Sequence, residues 1–141
     1  MNETTLVPDG LIERELRIAA SPETVFAFWT DPVRMAKWMG RDIRLDPRVG
    51  GEFRIDYNGS DIASGTFVEV DPPRRLVLTW GWEAAGDPTP PGASTVEVTL
   101  KRDGDGTILS LRHSGLSTDA VTGHAEGWDQ FLPNLVSVAA A

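Results

Sequence analysis

"VTGHAEGWDQFLPNLV", residues 121–136, decides the fold. It holds one of the chain's two histidines, with a glutamate two places on. That H-x-E spacing is the one zinc-dependent nucleobase deaminases use, with His as ligand and Glu as proton shuttle. The same stretch also reads as one helix face, because Val121, Ala125, Trp128, Leu132, Leu135 and Val136 recur every three or four residues. The helical reading wins. The 141 residues contain no cysteine, so a His/Cys/Cys zinc site cannot be built. Glu126 and His124 are two apart and do not share a helix face, whereas His124 and Trp128 are four apart and do. Aromatic packing against Trp128 therefore accounts for His124 without a metal. The pattern predicts a helix over 119–138 with Trp128 buried. Pro133 should kink it near Asp129, by removing a hydrogen bond and crowding a carbonyl.

Upstream of the helix the period is two. Glu52 to Tyr57 alternates with Phe53, Ile55 and Tyr57 on one face, and Asn58-Gly59 is a hairpin turn signal. Ile62 to Val70 is the return strand, Asp71-Pro72-Pro73 a turn, and Arg75 to Glu83 another strand. The stretch Ala84 to Ser94, with three prolines and two glycines, must be a loop. Thr95–Arg102 and Thr107–Ser114 form a last hairpin. These connections are too short for crossover helices, so the sheet is an antiparallel meander. Gly50-Gly51 reads as a bulge or tight bend where the sheet curves.

The beginning of the chain differs. Residues 1–10 read as a flexible lead-in, followed by one domain over 11–141. Leu11 to Ala19 is a first strand, with Ile12, Leu16 and Ile18 on one face and Arg14 interrupting it. Ser21-Pro22-Glu23 starts a helix with an N-cap, a first-position proline and an acid in the first turn. Asp31-Pro32 repeats the cap, predicting a second short helix to Trp38 that stops at Gly40. From Asp42 the period changes to two. The order is strand, two short helices, about six strands and a long amphipathic helix. A curved sheet closing around that helix satisfies it.

Composition bounds the partners. The net charge is -8 and the pI near 4.6. The densest basic stretch, Arg34 to Arg48, also carries Asp42 and Asp46, so no nucleic-acid surface is expected. No apolar run reaches a membrane span, and MNETTLVPDG lacks the charged-then-apolar pattern of a signal peptide, so a cytoplasmic location is expected.

The stretches SPETVFAFWTDPVRMAKWMG (21–40), DPRVGGEFRIDY (46–57), GTFVEVDPPRRLVLTWGW (65–82), TILSLRHSGL (107–116) and GHAEGWDQFLPNL (123–135) occur in an order that resembles the START-like (SRPBCC) helix-grip superfamily. The chain looks most like its branch of activator of heat-shock-protein-90 ATPase homologue-like proteins. The resemblance implies an α+β fold of START/Bet v 1 type. In it, about seven antiparallel strands curve around the C-terminal helix, two short helices follow the first strand, and a cavity lies between sheet and helix. It also implies a possible chaperone partner and a place in the stress response.

Within that fold, alternation turns Trp80 and Trp82 inward with Leu76 and Leu78, while Trp29, Trp38 and Trp128 come from the closing helices. His113 shares its face with Leu109 and Leu111 and points toward the cavity. Satisfaction by a backbone carbonyl at the cavity rim explains it, and a ligand-contacting role is the alternative. No serine in the sequence is visibly paired with it as a nucleophile. The candidate ligand-binding set is Trp80, Trp82, Tyr57, His113, Trp128, Trp38, Phe53 and Leu78; no catalytic residue, cofactor or metal ligand is assigned. Five tryptophans could simply be core, yet an aromatic-lined cavity with few polar groups also suits a small hydrophobic or aromatic ligand. Three function classes stand: ligand binding, which the tryptophans favour; a protein-interaction module, which the resemblance favours; and, with less support, a cavity enzyme of cyclase or hydrolase type. Either a monomer or a homodimer is compatible with the sequence.

Overall fold

The computed structural model describes residues 10–141. Its elements are β1 (Ile12–Ile18), α1 (Pro22–Thr30), α2 (Pro32–Met35), β2 (Asp42–Leu45), β3 (Glu52–Asp56), β4 (Ile62–Asp71), β5 (Arg75–Trp82), β6 (Ser94–Asp103), β7 (Gly106–Ser114) and α3 (Thr118–Ala139). One seven-stranded sheet runs β1-β7-β6-β5-β4-β3-β2, every pair antiparallel. Its inward face packs on α1, the turn after α2 and α3, burying Trp29, Phe53, Phe67, Leu78, Leu109, Trp128 and Leu135 in one core. This is the helix-grip fold.

Local chemistry explains the elements. Ser21 caps α1 by accepting from the Thr24 amide, and Asp31 caps α2 by accepting from the Val33 amide. The helix α2 is shorter than the Asp31-Pro32 cap suggests. After Met35 the chain tightens into turns, with the Lys37 amide reaching Arg34 and the Trp38 amide reaching Met35 at three-residue spacing. Trp38 is held by tertiary contacts instead, its indole donating to the Phe28 carbonyl at 2.9 Å.

Two glycines sit where backbones nearly touch. A Cβ at Gly51 would collide with the Asp46 carbonyl, which makes this residue the tight bend between β2 and β3. A Cβ at Gly81 would collide with the Pro90 carbonyl, so the β5–β6 loop lies directly on β5.

Residues 1–9 of the lead-in expected over 1–10 lie outside the described residues. Gly10 is part of the fold: it is buried, and its carbonyl accepts from the Leu116 amide at 3.2 Å. The helix α3 runs unbroken through Pro133, which is solvent-exposed, so water can reach the carbonyl the proline leaves without a donor.

Arg14, the charge that interrupts the inward face of β1, clamps the sheet to α3. Its guanidinium donates twice to Asp129, from Nε at 2.7 Å and from Nη2 at 3.1 Å. Both side chains are partly solvated, at 34% and 59% exposure, so the pair is screened. Asp129→Ala is expected to cost at most about 1 kcal/mol. Urea unfolding in low and high salt checks this; a loss several times larger, unmoved by salt, would mean the clamp sets the helix position.

Candidate functional site

Three elements converge at one end of the sheet. The end of β5 brings Trp80 and Trp82, the β3–β4 hairpin brings Tyr57, Asp61 and Ile62, and α3 brings Asp119, His124, Trp128 and Phe131. Between them lies a cavity of about 550 Å³, whose outer wall is the β5–β6 loop at Ala84, Asp87 and Pro88. The volume is that of a pocket for a drug-sized molecule, on the order of 300–1,000 Å³.

Helical spacing explains the α3 wall. Ala120, Gly123, His124, Gly127, Trp128 and Phe131 follow the three-and-four periodicity of one face. Gly123 and Gly127 stand in the middle of that face, where a Cβ at either position would meet nothing within 4 Å. Glycine inside a helix costs about 0.5–1 kcal/mol relative to alanine. Here the two missing side chains leave open space in front of the helix.

Tyr57 and Trp82 from the sheet side meet Phe131 of α3 in an angled aromatic wall. Tyr57 lies 5.7 Å from Trp82 and 5.6 Å from Phe131 between ring centroids, tilted at 37° and 38°. Burial pushes the Tyr57 phenol above its ordinary value, so it stays protonated and available as a donor. Trp82 is anchored to the helix: its indole N–H donates to His124 Nε2 at 2.8 Å. A bare Nε2 requires the proton on Nδ1, which donates to the Ala120 carbonyl at 2.7 Å. The partner of His124 is thus Trp82 of the sheet, and not Trp128 on its own helix as helical spacing suggested. A sheet residue is invisible to i, i+4 reasoning.

His113 lies beneath the cavity floor. It is 0% exposed and does not line the space. Its Nδ1 accepts from the Trp128 indole at 3.0 Å, which places its proton on Nε2, facing the Ser94 hydroxyl at 2.9 Å. Ser94 passes the chain on by donating to the Trp80 carbonyl at 2.7 Å. Burial, and secondarily the nearby His124, push the His113 pKa down from 6.5 to about 3. The serine beside His113, unseen in the sequence, is no nucleophile: the facing imidazole nitrogen is a donor, and both side chains are sealed from substrate. The chain links α3, β7, β6 and β5 through one neutral polar network inside the core.

The eight sequence-derived candidates divide. Tyr57, Trp80, Trp82 and Trp128 meet at the cavity, whereas His113, Trp38, Phe53 and Leu78 lie in the packed interior. Phe53 sits 5.4 Å from Trp80 and 6.2 Å from Phe67. The five indoles form a continuous row, Trp38–Trp29–Trp128–Trp80–Trp82, with successive centroids 4.9, 6.2, 5.7 and 5.8 Å apart. Only its last member reaches the cavity partly exposed. The Nε1 atoms of Trp29 and Trp80 are buried without a hydrogen-bond partner among the described residues. Phe131 and the two helical glycines were not singled out from sequence, and His124 was read there as a packing residue and not as part of a cavity wall. Their signal was present, since GHAEG places glycines four apart inside an otherwise strong helix pattern.

No group of three or more His, Asp or Glu side chains suited to a metal occurs among the described residues. No helix among them is long and apolar enough to cross a membrane.

Known proteins can now be set beside this geometry. No curated protein matches the chain. Among solved structures, an AHSA1-like protein from Rhizobium etli is 42% identical, with 93% of this chain covering 82% of that one and a TM-score of 0.74. CalU16 from Micromonospora echinospora is 32% identical, with 92% of this chain, 76% of that one and a TM-score of 0.74. DynU16, a protein of the dynemicin biosynthetic locus, is 26% identical with a TM-score of 0.78; 92% of this chain spans 47% of that one, about half its length. The family described as Activator of Hsp90 ATPase homolog 1-like protein matches residues 19–140, nearly all of the folded chain. With its helix-grip fold and that match, the chain belongs to the Activator of Hsp90 ATPase homolog 1-like family.

Proposed function

We propose that this protein binds a small, flat hydrophobic or aromatic molecule in the cavity between β5, the β3–β4 hairpin and α3. One observation carries the reading: Gly123 and Gly127 leave α3 bare beside the rings of Tyr57, Trp82 and the helix's own Phe131, so a packed core gives way to open space. A flat ligand there would stack on rings and gain roughly 25 cal/mol for each Å² of apolar area removed from water. The Tyr57 hydroxyl would hold one polar group. The Pro-rich loop forms the outer wall, and its prolines limit the entropy lost on closing over a ligand.

The cavity itself can be filled to test this. Gly127→Leu should abolish saturable quenching of tryptophan fluorescence by planar aromatic compounds. It should leave the thermal midpoint equal or higher, because leucine favours helix more than glycine by about 0.8 kcal/mol. Undiminished ligand binding in this variant would place the site elsewhere.

A second reading, an interaction module acting on a chaperone ATPase, is supported by the family's description. Its surface counterpart is modest. Val49 and Val68 are exposed at 71% and 50%, and the hydrogen bond from the Gly50 amide to the Phe67 carbonyl brings their neighbours together at the β2–β3 bend. Catalysis has less support, because the buried Ser94–His113 contact has the wrong proton order for a nucleophile and its base.

A further inference from the structure

We infer that the ligand of this cavity is an organic cation: a flat apolar body carrying a protonated amine or quaternary ammonium. This rests on the ligand-binding reading above and adds the charge of the ligand to it.

The residues around the opening have one sign. Asp61 comes from the β3–β4 hairpin, Asp87 from the β5–β6 loop and Asp119 from the first turn of α3, and no Lys or Arg among the described residues lines the cavity. None of the three carboxylates forms an ion pair among the described residues. Asp61 accepts from Asn58 Nδ2 at 2.8 Å, and Asp87 accepts from the Thr89 amide at 2.8 Å. Each keeps acceptor capacity, since a carboxylate offers about four lone-pair sites. Arg41 approaches Gly59 in the same hairpin, but it is not a lining residue.

The remaining polar groups agree with that sign. The start of α3 carries a partial positive charge of about half a unit, and the full negative charge of Asp119 in the first turn outweighs it. His124 has no free N–H to offer a ligand, because its Nε2 accepts from Trp82 and its Nδ1 faces the Ala120 carbonyl. An anionic ligand would therefore meet three carboxylates and no compensating cation. A cation would meet those carboxylates and, behind them, the rings of Tyr57, Trp82 and Phe131, whose π-faces attract positive charge. The net charge of -8 extends the same bias to approach from solution.

Three compounds of one shape separate charge from shape: 2-naphthylmethylamine, 2-naphthylmethanol and 2-naphthoate, titrated calorimetrically near neutral pH at low salt. The amine should bind roughly tenfold more tightly than the alcohol, and the carboxylate most weakly. Raising the salt should erode the advantage of the amine while leaving the alcohol unmoved. Asp61→Asn combined with Asp119→Asn should bring amine and alcohol within about twofold of each other; both sites are exposed, so folding is kept and circular dichroism verifies it. Equal binding of the amine and the carboxylate by the native protein overturns the inference and leaves the ligand-binding reading standing. Saturable binding by none of the three removes both.

Discussion

Trp128→Ala should lower the unfolding free energy by about 3–5 kcal/mol, the largest single-residue effect expected here. Trp128 is 4% exposed and touches Trp29, Trp80 and His113 at centroid distances of 6.2, 5.7 and 6.0 Å. Truncation opens a void at the contact between α3 and the sheet. It also leaves His113 Nδ1 without its donor, and a buried orphaned acceptor adds about 1–3 kcal/mol of its own. The thermal midpoint of a chain this size should then fall by roughly 10 °C or more. Trp128→Phe should recover part of the packing term and none of the hydrogen bond, so it should fall between. A melt unchanged in Trp128→Ala would take the helix out of the core and contradict the helix-grip arrangement.

The second large effect is a pH dependence centred on His113. Its native pKa is pushed down to about 3, against 6.5 for an unperturbed histidine. Above pH 6.5 the side chain is neutral in both states and contributes no slope. Between 6.5 and 3 the unfolded chain takes up a proton that the native state refuses. Stability must therefore fall as the pH drops, at up to about 1.4 kcal/mol per pH unit. Between pH 6.5 and 4.5 this amounts to roughly 2–3 kcal/mol. Carboxylates held low by their partners, Asp129 by Arg14 and Glu83 by Arg54, lose stability in the same direction at lower pH. A variant isolates the histidine. His113→Gln cannot titrate but can still donate toward Ser94, so it should be less stable at pH 7 and flatter below pH 6.5. Denaturant midpoints at several pH values measure both slopes. Parallel slopes in variant and native protein would show that His113 is charged in the fold, and the tautomer chain through Ser94 would be wrong.

The position of His113 also decides what His113→Ala would do. The strand pattern put His113 on the inward face, and there it is. Inward, however, is not the same as toward the ligand. Because Trp128 and Ser94 cover both of its nitrogens, the substitution should act on stability first.

Much of the architecture was legible from local rules. Alternation in Glu52–Tyr57 and Arg75–Glu83, the Asn58-Gly59 turn and the caps at Ser21 and Asp31 are each set within a few residues, and the strands, hairpins and helix starts appear where those rules place them. The period of residues 121–136 likewise marked the face of α3 that carries Trp128, Leu132 and Leu135 into the core. Periodicity states which face of an element is buried. It does not state how far along that face the packing continues. Trp80 and Leu78 share one face of β5, yet Trp80 borders the cavity and Leu78 is walled in, because only one end of the sheet stands away from α3. The end that stays open is decided by Gly123 and Gly127 on the helix meeting Tyr57 of the β3–β4 hairpin and Trp82 of β5, both far away in the chain. The same holds for the histidines. Sequence placed His124 beside Trp128, while the fold gave it Trp82, 42 residues away, and gave Trp128 to His113. Local sequence determined the elements and their buried faces, since those follow from backbone geometry. Tertiary structure alone decided which polar atoms pair and where space remains, since both depend on groups that meet only when the sheet closes around the helix.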